Sequence, residues 1–159
     1  MIDQNIHVLI AGPKFSKLKI KFRRRRLAEY LASKPETYKV LWIYFNPNSL
    51  KSLGKVKILS NVNSKIVQIE ISDYRFIIAN SSIFQRRITE KIRIYLDKDK
   101  DKHKYLWFTL PRFSDIIKLN WDRIIYDCSD FWSGQYSNAS IVKNIRTHKL
   151  VQNERLIVK

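Results

Sequence analysis

The amino-acid sequence predicts an α/β protein built on an open, mostly parallel β-sheet. Short apolar runs of strand length alternate along the chain with segments whose apolar residues recur at helical spacing. The run YKVLWIYFNP (38–47) is almost continuously apolar, as strands are when helices cover both faces of their sheet. Strands that alternate with helices favour parallel pairing, because a parallel pair needs a long crossover connection.

The first third of the chain predicts one strand–helix–strand unit. NIHVLIAG (5–12) is a β-branched run stopped by a Gly-Pro pair, which is typical of a buried strand and a turn. FRRRRLAEYLASK (22–34) follows as an amphipathic helix that ends before Pro35, and its apolar face contains Phe22, Leu27, Ala28 and Leu31. With 38–47 as the next strand, we expect a parallel pair with a right-handed crossover.

The middle of the chain predicts a hairpin and a second helix. KVKILSNVNSKIVQIEIS (55–72) alternates apolar and polar residues, as two half-exposed strands of an inserted β-hairpin would. SIFQRRITEKIRIYL (82–96) has helical periodicity, and Ser82 and Gln85 have the spacing of a capping box. The helix therefore begins at about Ser82.

Two further strands and a final helical segment complete the prediction. KYLWFTLP (104–111) and WDRIIYD (121–127) are short hydrophobic strands, and RFSDIIKLN (112–120) between them has room for one or two helical turns. Residues 138–159 have a loosely helical pattern. The sequence thus predicts helices on both faces of one sheet, in a single domain of 159 residues.

Composition points to an anionic partner. The formal net charge of +17 surrounds a small protein with a long-range positive field. Nucleic acid, an anionic membrane face and a phosphate-bearing substrate all fit this charge, and a bias of the genome towards AT-rich codons would also enrich lysine. The single cysteine, Cys128, excludes an intrachain disulfide and suits the cytoplasm. No apolar stretch approaches the roughly 20 residues that span a bilayer.

The sequence contains no recognisable motif for binding a nucleotide cofactor or a metal, or for a cysteine nucleophile. The loop AGPKFSK (11–17) has neither the glycine triplet of a dinucleotide-binding turn nor a phosphate-binding P-loop pattern, so no cofactor is expected. Histidines and Cys128 never occur at metal-ligand spacing, so no metal site is expected either. Cys128 has no histidine on the same element to activate it, which favours a buried bystander over a nucleophile.

The stretch RIIYDCSDFWSG (123–134) is the strongest candidate for a site. Asp127, Asp130 and Trp132 follow a predicted strand, and open parallel sheets bind ligands outside the carboxyl ends of their strands. A structural alternative is that the two aspartates cap the next turn while Trp132 packs beneath it.

A second candidate is the run of four arginines at the start of the first helix. Arg23, Arg24, Arg25 and Arg26 have the charge to bind nucleic-acid or lipid phosphates, or they form a solvated helix surface. The aromatic residues lie mostly within predicted core strands, and no recognition helix is apparent, which argues against a dedicated nucleic-acid module.

Three landmarks in order resemble the N-terminal half of GT-B glycosyltransferases of the teichuronic-acid-biosynthesis type. They are FRRRRLAEYLA with YKVLWIYFNP, then YLWFTLP, then RIIYDCSDFW. The helix pattern of that family matches Arg23, Leu27, Ala28, Leu31 and Ala32. Its later strand signature matches Tyr126, Asp127, Asp130 and Trp132, and Leu110 and Pro111 stand where relatives close the preceding strand. The resemblance extends from about Ile6 to Lys159.

The resemblance implies that residues 1–159 form a Rossmann-like, acceptor-side domain whose donor-binding partner domain is absent. It implies sugar transfer from a nucleotide-sugar to a cell-surface polysaccharide or lipid-linked acceptor, with little activity unless a second domain or partner supplies the donor site. The implied acceptor cleft contains Gly12, Lys14, Arg23, Asp127, Asp130 and Trp132. The arginines at 23–26 would hold the protein to the anionic inner face of the membrane. The alternative is a non-enzymatic basic module that binds nucleic acid or anionic membrane.

Overall fold

The computed structural model has six strands and three α-helices among the residues that it describes. These residues are 4–11, 14–15, 23–47, 52–59, 63–74, 77, 81–109, 113–127 and 145–158. The strands are β1 (Asn5–Ile10), β2 (Thr37–Pro47), β3 (Val56–Leu59), β4 (Ile66–Asp73), β5 (His103–Phe108) and β6 (Arg123–Tyr126). The helices are α1 (Arg23–Ser33), α2 (Ser82–Leu96) and α3 (Ile145–Ile157), with short 3-10 helices at Asp97–Asp99 and Ser114–Lys118.

The six strands form one open sheet in the order β3-β4-β2-β1-β5-β6. All neighbours pair in parallel except β3 and β4, which are antiparallel. The predicted fold class, an open and mostly parallel α/β sheet, is confirmed. The predicted parallel pairing of the strands on either side of α1 is confirmed as well.

Helices cover both faces of this sheet, and alternate residues of the central strands fill two separate cores. In β2, Trp42 and Tyr44 pack with α1 on one face, and Ile43 and Phe45 pack on the other. The α1 face also receives Ala28, Leu31 and Ala32 of the helix. The opposite core contains Ile88, Ile92 and Leu96 of α2, together with Phe113 and Ile116. This two-sided burial explains why 38–47 is apolar almost throughout.

The hairpin of β3 and β4 is confirmed, but the expectation that both of its strands are half-exposed is wrong for β4. Every residue of β4 is buried. The reason is that β4 also pairs with β2 in parallel, so it is an interior strand with covered faces. Its polar residues are therefore buried too, including Gln68 and Glu70.

The capping box predicted at the start of α2 is wrong, although the helix spans the predicted residues. Ser81 is the N-cap residue, and its side chain makes no capping hydrogen bond. Gln85 is buried, and its Oε1 accepts a hydrogen bond from the backbone N–H of Asp115 at 2.9 Å. The amide thus joins α2 to the segment before β6, an interaction between residues 30 positions apart.

Candidate functional site

The strand order reverses at β1, so the carboxyl ends of β1 and β5 lie at a switch point of the sheet. From β1 the chain crosses to β2 on one side, and it later returns to place β5 on the other side of β1. Open α/β sheets bind ligands at such a reversal of strand order. Thr109, just after β5, donates a hydrogen bond from Oγ1 to the carbonyl oxygen of Ile10 at 2.8 Å, which ties the two strand ends together.

A cleft of about 440 Å³ lies near these strand ends, between α1 and the strands β5 and β6. Helix α1 supplies one wall, strand β5 the other, and the residue after β6 closes one end. The described lining residues are Arg23, Arg26, Leu27, Tyr30, Trp107 and Asp127. The cleft therefore combines two guanidinium groups, one carboxylate and two aromatic rings.

Asp127 and Arg23 meet across this cleft, although 104 positions separate them in the sequence. Arg23 Nη2 donates to Asp127 Oδ1 and forms an ion pair. The backbone N–H of Asp127 donates to the carbonyl oxygen of Phe108 at 2.8 Å, which continues the β5–β6 ladder by one residue. Tyr126 next to it donates a hydrogen bond to the buried Glu154 of α3 at 2.5 Å. The carboxylate is thus held on an ordered strand end.

Trp107 forms the strand wall of the cleft, and the buried His7 on β1 contacts it. Trp107 Nε1 donates to His7 Nδ1 at 3.2 Å, and the His7 ring also stacks on Tyr105 with centroids 5.2 Å apart. Because the indole nitrogen can only donate, His7 Nδ1 must be unprotonated. Burial lowers the pKa of His7 to about 4, against a smaller opposing effect of the Glu36 charge. His7 is therefore neutral at physiological pH.

The four arginines of α1 do not share one environment. Arg23 and Arg26 are exposed and line the cleft. Arg24 and Arg25 are half-buried. Arg25 donates from Nε to Glu29 at 2.9 Å, and its guanidinium lies over the Phe15 ring at 4.9 Å. Only two of the four arginines, Arg23 and Arg26, are therefore exposed to solvent on the predicted cationic surface.

A second polar cluster lies at the carboxyl ends of β2 and β4, on the other side of β1 from the cleft. Tyr44 Oη donates to Glu70 Oε2 at 2.6 Å, and Asn46 Nδ2 donates to the same oxygen at 3.1 Å. Burial, the hydrogen bond to Glu70 and its charge all raise the pKa of Tyr44. Glu70 and Tyr44 are buried, so these contacts hold the strand ends together and leave little surface for a ligand.

The structure brings together two of the six predicted cleft residues. Arg23 and Asp127 line the cleft. Lys14, which follows β1 along the chain, is half-buried and is not one of the described lining residues. Gly12, Asp130 and Trp132 lie outside the described residues, as does Cys128. The sequence pattern did not indicate Tyr30 and Trp107, although both line the cleft. Each one fits the pattern of the helix or strand that contains it, so neither carries a separate signal of a site.

The ion pair between Arg23 and Asp127 should matter little for stability. Arg23 is 68% exposed, and exposed ion pairs contribute about 0–1 kcal/mol. We expect Asp127→Asn to change the free energy of unfolding by less than about 1 kcal/mol, as measured by urea denaturation. A double-mutant cycle with Arg23→Ala measures the coupling, and a value above about 2 kcal/mol would contradict the small contribution of this pair to stability.

The described parts of the chain contain neither a metal-binding cluster nor a membrane-spanning helix. No three His, Cys, Asp or Glu side chains in these parts of the chain come close enough to hold a metal ion. No helix within the described ranges is both long and apolar enough to cross a bilayer.

Comparison with known proteins identifies a relative whose printed name refers to glycosyltransferase activity. The chain is similar to the Bacillus subtilis (strain 168) protein named "Putative teichuronic acid biosynthesis glycosyltransferase TuaH". The two are 29% identical over 159 residues, which cover 95% of this chain and 39% of that protein. This chain thus spans about two fifths of the relative's length. No protein-family model matches the chain. No solved structure matches it either.

Proposed function

We propose that this chain is the acceptor-side, Rossmann-like domain of a GT-B glycosyltransferase. In this proposal, sugar passes from a nucleotide-sugar to a cell-surface polysaccharide or lipid-linked acceptor. The acceptor binds in the cleft between α1 and β5. A second domain or partner holds the nucleotide-sugar, and the chain has little activity without it.

The observation that supports this proposal best is similarity to a glycosyltransferase along 95% of the chain. The position of the cleft agrees with it, since the cleft lies beside a reversal of strand order, where open α/β sheets bind their ligands. The contents of the cleft also suit a hydroxyl-rich ligand. Asp127 can accept hydrogen bonds from hydroxyl groups, and the aromatic faces of Tyr30 and Trp107 can pack against the C–H face of a sugar ring.

A domain exchange tests the proposed function. In a chimaera, this chain replaces the matching segment of the Bacillus subtilis relative, so that the rest of that protein supplies any donor site. We expect the chimaera to transfer radiolabelled sugar from a nucleotide-sugar to Bacillus subtilis membrane and cell-wall fractions. We expect Asp127→Ala to lower this transfer by about tenfold or more, the cost of losing a hydrogen bond to a charged group.

The matched control is Asp115→Ala, because Asp115 has the same 13% side-chain exposure as Asp127 and also pairs with a cation, Lys118. It lies outside the cleft, in the 3-10 helix before β6. Transfer by the control chimaera should equal that of the unmodified chimaera. Failure of a folded chimaera to transfer sugar, under conditions where the intact relative does so, would contradict the proposal.

A second candidate function is binding to anionic membrane or nucleic acid without catalysis. The observation that favours it is local charge: residues 14–26 contain eight lysines and arginines and no acidic residue. We propose that this segment also holds the glycosyltransferase at the inner membrane face, each basic residue near the lipid adding about 1 kcal/mol. Stronger binding to duplex DNA than to phosphatidylserine vesicles at equal salt would favour the nucleic-acid alternative instead.

A further inference from the structure

We infer that the protein has a second ligand site, which binds the phosphate group of a small phosphorylated compound. The site is a pocket of about 350 Å³ between the end of α2, the start of β5 and the segment before β6, and we call it the amino-edge pocket. This inference goes beyond the proposed function and does not depend on it, because the pocket and the cleft share no described lining residue.

The amino-edge pocket lies where the parallel strands begin, whereas the cleft lies near where they end. Lys104 is the second residue of β5 and Asn120 precedes β6, and both line the pocket. Asp127, which lines the cleft, follows the other end of β6. Helix α2 borders the pocket, and it packs on the opposite face of the sheet from α1. The pocket is therefore a separate site.

Positive charge dominates the described lining of the amino-edge pocket. Four cations, Arg93, Lys100, Lys104 and Lys118, line it together with one carboxylate, Asp97, which leaves an excess of three positive charges. The cations come from α2, from the end of the 3-10 helix that follows it, from β5 and from the 3-10 helix before β6. Cations on several elements suit a phosphate better than a carboxylate, because a phosphate has three acceptor oxygens and more than one negative charge.

Lys104 offsets the repulsion that the end of α2 would exert on an anion. The carbonyl end of a helix carries partial negative charge. Lys104 Nζ donates to the carbonyl oxygens of Lys100 and Lys102, just beyond this helix end, at 3.4 and 3.3 Å. An ammonium group has three N–H donors, so these two long contacts leave one for a ligand. Lys104 can therefore both neutralise the local carbonyl groups and donate to a phosphate.

The other cations can bind a ligand at small cost. Lys118 is 70% exposed and Arg93 is 48% exposed, and both form ion pairs at the surface. Exposed ion pairs contribute little to stability, so a phosphate can share or replace their carboxylate partners. Lys100 is exposed and forms no ion pair with the described residues. Binding therefore breaks no buried interaction.

Two leucines give the amino-edge pocket an apolar part. Leu96 is buried and Leu119 is half-buried, and both line the pocket. The volume of about 350 Å³ is within the range of small-molecule sites and is larger than a bare phosphate needs. We therefore expect the ligand to be a phosphate monoester with a small apolar body, which covers the leucines while the cations hold its phosphate group.

The test is a titration of the isotope-labelled chain with phenyl phosphate, inorganic phosphate and benzoate, followed by NMR. The reporter is the indole N–H of Trp121, which directly follows Asn120 and donates to the Ile116 carbonyl oxygen at 2.8 Å. We expect phenyl phosphate to shift this resonance until it saturates, and to bind about tenfold more tightly than benzoate, the effect of one more charge-assisted hydrogen bond. Inorganic phosphate should bind more weakly than phenyl phosphate, because it leaves the leucines uncovered.

Variants locate the binding in the amino-edge pocket. Lys100→Ala should weaken phenyl phosphate binding about tenfold, and Lys118→Ala on another element should weaken it as well. Lys98→Ala is the matched control, because it makes the same change of charge at an exposed residue two positions from Lys100 that is not among the described lining residues. Binding by this control should change by less than about twofold, since the general positive field is altered equally.

Equal weakening by Lys98→Ala and Lys100→Ala would show that phosphate responds only to the general positive field, and it would overturn the site. A Trp121 resonance that phenyl phosphate does not shift would overturn it as well. Equal binding of benzoate and phenyl phosphate would overturn the preference for phosphate, and equal binding of the two phosphates would overturn the role of the leucines.

Discussion

Truncating Ile88 to alanine is expected to lower the free energy of unfolding by about 2–5 kcal/mol, the usual cost of a large-to-small change in a core. Ile88 is 2% exposed on α2 and belongs to the core between this helix and the sheet. Its side chain packs among apolar residues, so its deletion leaves an apolar cavity, which water does not stabilise. For a domain of this size, the loss removes a large part of the net stability.

Ile83→Ala on the same helix is the matched control. Ile83 is 73% exposed, so the same chemical deletion should change the free energy of unfolding by less than about 0.5 kcal/mol. Both variants are compared with the parent by urea denaturation. The slope of the free energy of unfolding against urea concentration should be the same for all three proteins. Equal destabilisation by the two changes would contradict the helix face that the structure buries.

The local elements were predictable where one strong pattern dominated. The apolar run at 38–47 is a central strand because both of its faces are covered, and the helical period of 82–96 matches α2. The polar alternation of 66–73 misled the prediction for β4, since Gln68 and Glu70 looked solvent-facing. In the structure these polar groups find buried partners, Gln68 at the backbone N–H of Phe15 and Glu70 at Tyr44. The alternation of polar and apolar residues shows where polar side chains occur. It does not show whether such a side chain has a hydrogen-bond partner in the protein interior.

Of the candidate site, only residues outside the interior of the strands could be predicted from the sequence. A rule about strand ends identified Asp127, because chain order alone shows which residue follows a strand. It could not identify Trp107, which lies inside β5 and lines the cleft only once α1 is packed across the sheet. The contact between His7 and Trp107 depends on the parallel register of β1 and β5, in which His7 lies opposite Tyr105. Register across 100 residues has no local signal in the sequence.

The charged and the aromatic residues of the cleft come from different parts of the fold. The charged residues, Arg23 and Asp127, come from segments that enter or leave the sheet, and ligand charge can rearrange them at small cost because Arg23 is exposed. The aromatic wall comes from the interior of a strand and is supported by a buried histidine. We therefore expect ring recognition to be rigid and charge recognition to be adaptable.

The histidine that supports this wall should make the protein sensitive to acid. The pKa of His7 is about 4 in the folded state and 6.5 when it is unperturbed. The unfolded chain therefore binds a proton at higher pH than the folded chain does, and the stabilisation is fully present above pH 6.5. This stabilisation is lost as the pH falls, and the loss amounts to about 3 kcal/mol by pH 4.

The measurement is the free energy of unfolding of the parent and of His7→Leu from pH 7.5 to pH 4. We expect the parent to lose about 3 kcal/mol more than the variant over this range, since leucine has no proton to gain on unfolding. His103→Gln is the control: His103 is half-exposed and faces Asp122 at 3.0 Å, so its removal should preserve the steep acid loss. Parallel curves for the parent and His7→Leu would show that folding does not lower the pKa of His7. An imidazolium cannot accept the Trp107 hydrogen bond, so the aromatic wall would then lose this support at mildly acidic pH.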